Sequence, residues 1–460
     1  MDVLDHLDRE AKALGIALHS VELTVDREPV ISAGASPLGV HTPHRMYSVA
    51  KTLTGLAVGL LADEGGLTLD DRVTAHFPEH GHGHHPWLEQ ATVRHLLAML
   101  GPHATTTYQR SENDWLASWF RVPPAFPPGA VFTYDTSGSY VLSALVERVA
   151  GTTLAGYLRH HLAPLGLADD FRIFSGPDGV SHGGSGLVCR PRDLLRLAHL
   201  LLDGGLHDGE ALLPAGYLRE ATTVQADTAA LTWGSAFRGY GYQLWLPERG
   251  GYLMFGLGGQ IVYCEPDHRL ALVVTADTLT CPSGDQRLAG LVFRHLVDPV
   301  VGKSAPPADD DGPRGPATRA LTWPTPRHLP EHALPVRGRY LPRGPIAWTD
   351  DLDVDLSADG GVVASSSGEW RLELRLGAPH AQPFGPKARP AVVAAGWAAP
   401  RTLDVEVRFV DDEPEVIRLR LHAGPDGTLT VRGQGSGERA DPRWTFAGAF
   451  SPSPSPPARP

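Results

Sequence analysis

The 460-residue sequence predicts a mixed α/β (α+β) domain followed by an all-β domain, and three observations carry that expectation. Short apolar runs at 240–245, 252–255, 260–264 and 270–275 are separated by tight-turn residues, as in consecutive antiparallel strands. Apolar-faced stretches with stop signals, such as 140–150 before Gly151 and 191–202 before Gly204-Gly205, read as helices flanking that sheet. The residues 303–318 are then dominated by Pro, Asp, Ala and Gly, and beyond them the hydrophobic period changes to two. Leu352/Val354/Leu356, Trp370/Leu372/Leu374/Leu376, Leu403/Val405/Val407/Phe409 and Ile417/Leu419/Leu421 alternate with polar residues, a pattern for a small barrel or sandwich. The expected organisation is 1–302 as the first domain and 303–318 as a linker that cannot bury enough apolar surface to order itself. A β domain then spans 319–447, and a Ser/Pro-rich tail at 448–460 is expected to be disordered.

Composition narrows the class. Apolar content of 42% with 20% charged residues fits a soluble globular chain with a sizeable core. A formal charge of -12 without a Lys/Arg-rich stripe argues against nucleic acid as a partner. Three cysteines, Cys189, Cys264 and Cys281, lack paired or metal-type spacing, which suits a reducing compartment and small buried hydrophobes. The acidic N-terminus carries no export signal, and no apolar run reaches membrane-spanning length. A cytoplasmic protein without a membrane partner is expected. Nothing in the sequence sets an oligomeric state.

In chain order, 3–14 reads as a helix and 21–32 as a strand pair turning at Asp26-Arg27-Glu28, placed at a sheet edge. A loop at 37–43 leads into a helix from Met46, whose apolar face is Leu53, Leu56, Leu60 and Leu61 and whose stop is Gly65-Gly66. The histidines His76, His80, His82, His84 and His85 sit among glycines, with no helix to fix geometry and no carboxylate or cysteine at ligand spacing. They read as a solvated loop, so no metal and no cofactor is expected. A helix follows at 92–100. Tyr108, Trp115, Trp119 and Phe120 belong to the core or to a pocket wall. A last helix at 286–296 packs on the sheet.

The chemistry begins at Ser48 and Lys51. Three residues apart at a helix start, they share one face. A serine hydroxyl needs a base to become a nucleophile, and a desolvated lysine with a lowered pKa is such a base. The helix N-terminus also favours an alkoxide and the oxyanion it forms. The stretch from Pro128 to Gly138 places Tyr134 on a loop just before a helix, where a phenol can shuttle protons between nucleophile and leaving group. Ser181 to Leu187 is a glycine-rich turn lacking the Gly-x-Ser-x-Gly frame, so Ser185 is a poor rival nucleophile. Gly256-Leu257-Gly258-Gly259-Gln260 opens a strand where small residues admit substrate backbone and leave an amide free for an oxyanion.

Ser48-Val49-Ala50-Lys51, then Tyr134-Asp135-Thr136, then the glycine-rich strand motif resemble the serine β-lactamase and penicillin-binding-protein superfamily. The likeness is to its class C β-lactamase branch, with esterases, D-peptidases, nylon-oligomer hydrolases and acyltransferases, and covers about residues 15 to 300. It implies a β-lactamase-like fold with an all-helical subdomain beside the sheet. It further implies that Ser48 is acylated, Lys51 is its base and Tyr134 relays protons. The backbone N–H groups of Ser48 and Leu257 would form the oxyanion hole, with Gly258 and Thr136 beside the substrate. Two departures stand out. Thr136 replaces the usual Asn, and Met254-Phe255 stand where Lys or His usually precedes the glycines.

A charge-assisted contact to a carboxylate contributes about 1.5–3 kcal/mol. Its loss lowers the expectation of β-lactamase or D-peptidase activity unless Arg45 or Arg238 substitutes. The expected activity is therefore hydrolysis of a small ester or amide of low charge through an acyl-enzyme. Transfer of the same acyl group to an amine or alcohol in specialised metabolism is the alternative, and a non-catalytic binding or sensing protein is a third. Trp233, Tyr240, Tyr242 and Trp245 are expected either in an apolar acyl pocket or in the core.

Overall fold

Four short apolar runs become the centre of a nine-stranded sheet in the computed structural model, which describes residues 3–80, 85–109, 112–228, 237–302, 317–344, 351–438 and 440–453. Trp233, His82, His84, residues 303–316 of the expected linker and the tail from 454 lie outside that set. The chain divides into two units. The first comprises Met1–Glu10, Leu18–Ala276 and Ser283–Leu321; the second comprises Ala11–Ala17, Asp277–Pro282 and Thr322–Pro460.

The sheet of the first unit runs Ala317–Ala320, Glu28–Gly34, Ala17–Val25, Leu270–Asp277, Gln260–Glu265, Tyr252–Gly256, Trp245–Leu246, Gly239–Tyr240, Ala226–Asp227. Gln260–Glu265 pairs antiparallel with both neighbours, Tyr252–Gly256 and Leu270–Asp277. Two expectations change here. The hairpin of Ala17–Val25 and Glu28–Gly34 is not at the edge, because Ala317–Ala320 adds itself in parallel beyond it. The run 240–245 is not one strand: Gly239–Tyr240 and Trp245–Leu246 form a tight hairpin. Gln243 turns it with φ 57°, a conformation that periodicity in a short aromatic run does not reveal.

The helix Val49–Asp63 is buried from Val49 through Leu61, which is what a helix apolar on all sides requires. It packs against Thr136–Ala150 and Leu154–His161. With Pro86–Gln90, Val93–Leu97 and Trp115–Arg121, these make a helical region that falls, along the chain, between the first hairpin and the later strands. The helix expected at 140–150 starts earlier, at Thr136, because the Asp135 carboxylate accepts from the N–H groups of Ser137 and Gly138. Such a cap is worth about 1 kcal/mol. Gly151 ends the same helix with φ 66°. The helix expected at 286–296 is Gly284–Val292, which continues as a π-helical Phe293–Val297 and a short α-helix, Asp298–Val301. Trp119 and Phe120 are core residues, whereas Tyr108 and Trp115 are half-buried.

In the second unit, strands of period two form a ten-stranded sheet. Its order is Arg371–Arg375, Gly360–Ser365, Leu352–Leu356, Val336–Pro342, Phe446–Pro452, Leu429–Gly437, Glu415–Ala423, Thr402–Phe409, Arg389–Ala399, His380–Phe384. A bridge between Leu376 and Ala395 draws the two ends together, giving a nearly closed barrel. Trp370, Leu372, Trp397, Val405, Leu419 and Phe450 fill it. Phe446–Pro452 pairs on both sides, so ordered structure runs past 448, where the tail was expected to begin.

Arg408, 2% exposed, donates at 2.6 Å to Asp277 and to Glu406 and at 2.8 Å to the Gly15 carbonyl. A cation so deeply buried requires this full set of partners. All three cysteines are buried and unpaired. Among the described residues no helix is long and apolar enough to cross a membrane.

Candidate active site

The strand His44–Tyr47 ends in a backbone kink. Tyr47 has φ 47°, a left-handed conformation that costs a non-glycine residue on the order of 1–3 kcal/mol. The Arg45 guanidinium lies 4.4 Å over the Tyr47 ring and donates to Ser185 O and Oγ at 3.2 and 3.4 Å, holding the kink in place. Ser48 follows as the N-cap of Val49–Asp63, and its side chain makes no capping hydrogen bond. The hydroxyl is thus left for other partners at the positive end of a helix.

One of those partners is Lys51, a helical turn along and 1% exposed. Its Nζ is 3.1 Å from Ser48 Oγ, 3.2 Å from Thr136 Oγ1 and 2.7 Å from the Gly184 carbonyl. Burial lowers its pKa from 10.5 to about 7, opposed in part by the Asp135 carboxylate. A neutral amine has two N–H groups and one lone pair. The carbonyl and Thr136 can accept the first two, which turns the lone pair toward the Ser48 O–H. Asp135, the cap described above, is itself pushed up by burial.

Tyr134 closes the trio from the opposite side. Its hydroxyl hydrogen-bonds with Ser48 and with the Trp245 side chain; burial pushes its pKa up to about 12, and those two bonds pull it down. The ring stacks on Trp245 at 5.2 Å with 22° between planes, and Lys51 Nζ sits 4.8 Å above its centroid. The phenol therefore meets the serine, while the amine meets the ring face. Phe132, Tyr240 and Phe237 pack edge-on or tilted around Trp245, and Phe255 packs on Phe237.

The strand Tyr252–Gly256 approaches from the sheet. A Cβ on Gly256 would fall 2.2 Å from the Met46 carbonyl, so only glycine lets this strand lie against the one leading to Ser48. The turn Leu257-Gly258-Gly259 follows, with φ 82° and 86° at its glycines. Leu257 is 41% exposed.

The structure thus unites Ser48, Lys51, Tyr134 and Thr136, and sets Leu257 and Gly258 in the turn beyond Gly256. The suggested stand-ins for the missing basic residue both meet groups of the protein itself. Arg45 is engaged with Tyr47 and Ser185, and exposed Arg238 faces Glu248 at 3.7 Å. Ser185 serves as an acceptor for Arg45. Of the histidines, His76 pairs with Asp71 and His80 stacks on Phe120; no metal-type cluster occurs among the described residues.

Sequence reasoning missed the Gly184 carbonyl, Asp135 as a charge near Lys51, and Trp245 as a partner of Tyr134. The Gly183-Gly184 pair was the available signal. A Cβ on Gly184 would come within 2.5 Å of the Thr136 side chain, and one on Gly183 within 2.4 Å of the Thr54 hydroxyl. A separate hollow of about 840 Å³ in the second unit, lined among others by Lys12, Trp323 and Arg432, holds none of these residues.

Comparison with known proteins gives the same picture of the fold. The profile of the Beta-lactamase family matches residues 2–296. The 6-aminohexanoate-dimer hydrolase of Paenarthrobacter ureafaciens is 28% identical over 251 residues, 48% of this chain and 63% of that protein. The chain thus spans less than two thirds of that relative's length. The octameric penicillin-binding protein homologue of Pyrococcus abyssi superposes with a TM-score of 0.50 at 16% identity, over 97% of this chain and 99% of that one. EstCE1, described as a hydrolase with promiscuous acyltransferase activity, gives a TM-score of 0.52 at 17% identity, over 63% of this chain and 97% of its own.

Proposed function

The chain belongs to the beta-lactamase family, and from that premise we propose that it is a serine hydrolase cleaving a carboxylic ester or amide through an acyl-enzyme on Ser48. The observation that carries this reading is Lys51 Nζ at 3.1 Å from Ser48 Oγ, in a site that lowers its pKa to about 7.

The neutral amine takes the Ser48 proton as Oγ attacks the substrate carbonyl, forming a C–O bond and moving the carbonyl electron pair onto oxygen. The N–H groups of Ser48 and Leu257 receive that oxyanion. Each such donor is worth about 10²–10³ in rate. Tyr134 gives its proton to the leaving alcohol or amine as the C–O or C–N bond breaks, and the resulting phenolate takes back the proton that the Lys51 ammonium received from Ser48. Water then attacks the ester along the same path in reverse. Met254-Phe255 in the strand motif, where a basic residue would meet a substrate carboxylate, and Arg238 facing Glu248 support a substrate of low charge beside the reacting carbonyl. The aromatic group around Trp245 supports an apolar acyl portion.

The test is labelling by a fluorophosphonate, read by intact mass and peptide mapping, together with hydrolysis of p-nitrophenyl esters. The expected result is one adduct on Ser48 and loss of turnover by at least about 10³-fold in Ser48→Ala. Full turnover in Ser48→Ala, or an adduct elsewhere, removes the proposal.

A further inference from the structure

The Gln260 carboxamide is buried, 3% exposed, and bridges two backbone carbonyls: Nε2 donates to Ala276 O at 2.8 Å and to Leu257 O at 3.4 Å. Both partners are acceptors, so the amide orientation is fixed and Oε1 points away from them. Oε1 itself is buried without a hydrogen-bond partner, as is Nε2 of His44, whose imidazole neighbours the Gln260 side chain. The imidazole is also buried, 4% exposed. Its Nδ1 is 3.3 Å from the Thr42 carbonyl and must be the N–H donor there. Burial lowers the pKa of this ring to about 4 and keeps it neutral.

The positions of these two residues matter more than their bonds taken singly. His44 opens the short strand whose next residue but three is Ser48. Gln260 opens the strand that follows the Leu257 turn and is paired directly with Gly256. Gly256 in turn lies against the Met46 carbonyl, where a Cβ would not fit. One side chain therefore touches the turn carrying Leu257, the neighbouring strand Leu270–Asp277 and the strand leading to Ser48.

We propose that Gln260 is a positioning residue that sets the Leu257 amide at a fixed distance from the Ser48 amide and so tunes the oxyanion hole. This rests on the acyl-enzyme reading above. The turn has two glycines at positive φ and no other side chain holding the Leu257 carbonyl among the described hydrogen bonds. Without the carboxamide, the peptide bearing the Leu257 carbonyl can rotate and drag the turn with it. A misplacement near 1 Å at a reacting centre costs about 10²-fold.

The experiment compares Gln260→Met, which keeps the volume, and Gln260→Ala with the unaltered chain. The measurements are kcat and KM for p-nitrophenyl esters, inhibition by an arylboronic acid that adds to Ser48 as a tetrahedral anion, and melting temperature. The expected result is a 10- to 100-fold fall in kcat, KM within threefold, and a boronate Ki raised in proportion to the loss of kcat/KM. Both variants should show it. Four outcomes overturn the proposal: kcat within twofold of the unaltered chain, a loss carried by KM, boronate affinity unchanged while kcat falls, or failure of both variants to fold. Ser48→Ala run in parallel separates the two ideas. If it stays active, the acyl-enzyme reading falls. If it is dead while both Gln260 variants keep kcat, only the role of Gln260 falls.

Discussion

Lys51 holds its amine over the face of the Tyr134 ring, 4.8 Å from the centroid, instead of against the phenol hydroxyl. The hydroxyl is hydrogen-bonded to Ser48 and Trp245. Ser48 Oγ consequently stands between base and acid: it gives its proton to Lys51 as it attacks, and Tyr134 protonates the leaving group. The ring face also favours an ammonium, by about 0.5–2 kcal/mol. It acts in the same direction as the Asp135 carboxylate and against burial, and burial prevails.

Tyr134→Phe separates the two faces of this residue. The stack on Trp245 and the contact under Lys51 survive, and only the hydroxyl is lost. General acid catalysis contributes about 10²–10⁴, so kcat for an ester with a poor leaving group should fall by about 10²-fold or more. An activated p-nitrophenyl ester, whose leaving group needs no proton, should lose much less. Equal losses on both substrates, measured as kcat/KM, would show that the phenol does not serve the leaving group.

The pH profile follows from Lys51. Below its pKa of about 7 the amine holds a proton and cannot serve as base. The acylation rate should rise about tenfold per pH unit up to pH 6.5 and flatten above pH 8. Stopped-flow release of p-nitrophenol, corrected for its own ionisation, reads this directly. A profile flat from pH 5 to 9 would rule out Lys51 as the titrating base.

The same shift sets a stability trend. Between pH 7 and about 10.4 the unfolded chain carries a proton on Lys51 that the folded chain lacks, so this residue makes stability rise with pH across that window. Lys51→Met removes the burden of a buried amine. The variant should be inactive yet more stable at pH 7, by on the order of 1–3 kcal/mol, with the gain shrinking toward pH 10. Thermal melts at pH 7, 8.5 and 10 test both the sign and the trend.

Gly256→Ala should lose activity and stability together. The added methyl has backbone, not a pliable side chain, 2.2 Å away at Met46, and overpacking of this kind costs about 1–3 kcal/mol. Gly290→Ala is the contrast. It lies in the helix Gly284–Val292 with nothing within 4 Å of the new Cβ, and should be neutral or stabilising by up to about 1 kcal/mol. Denaturant melts of the pair give the comparison, and an equal response would contradict the steric account.

In the second unit, Arg408→Ala should destabilise by about 3–5 kcal/mol, because it takes the buried cation from Asp277 and leaves Glu406 with the more exposed Arg418 alone. Chemical denaturation with ester turnover followed alongside will show whether that loss is confined to folding. A change below about 1 kcal/mol would mean that water replaces the guanidinium.

Ser48 and Lys51 were legible because helix period alone puts residues three apart on one face, whatever the rest of the chain does. The β domain was legible for a similar reason: alternation such as Leu352/Val354/Leu356 survives as a buried row in the strand Leu352–Leu356. The departures came where a contact depends on residues far apart in sequence. The parallel strand Ala317–Ala320 beside Glu28–Gly34 and the turn at Gln243 inside an aromatic run carry no local period. The sequence by itself determined that a hydroxyl, an amine and a phenol exist in helix and loop settings suited to acyl transfer. The tertiary structure decided which atoms of each meet, that Gly184 and Thr136 share the amine, and that Trp245 holds the phenol. Local spacing fixes neighbours along a helix, but only close packing of distant strands and turns fixes which face of a ring an amine sees.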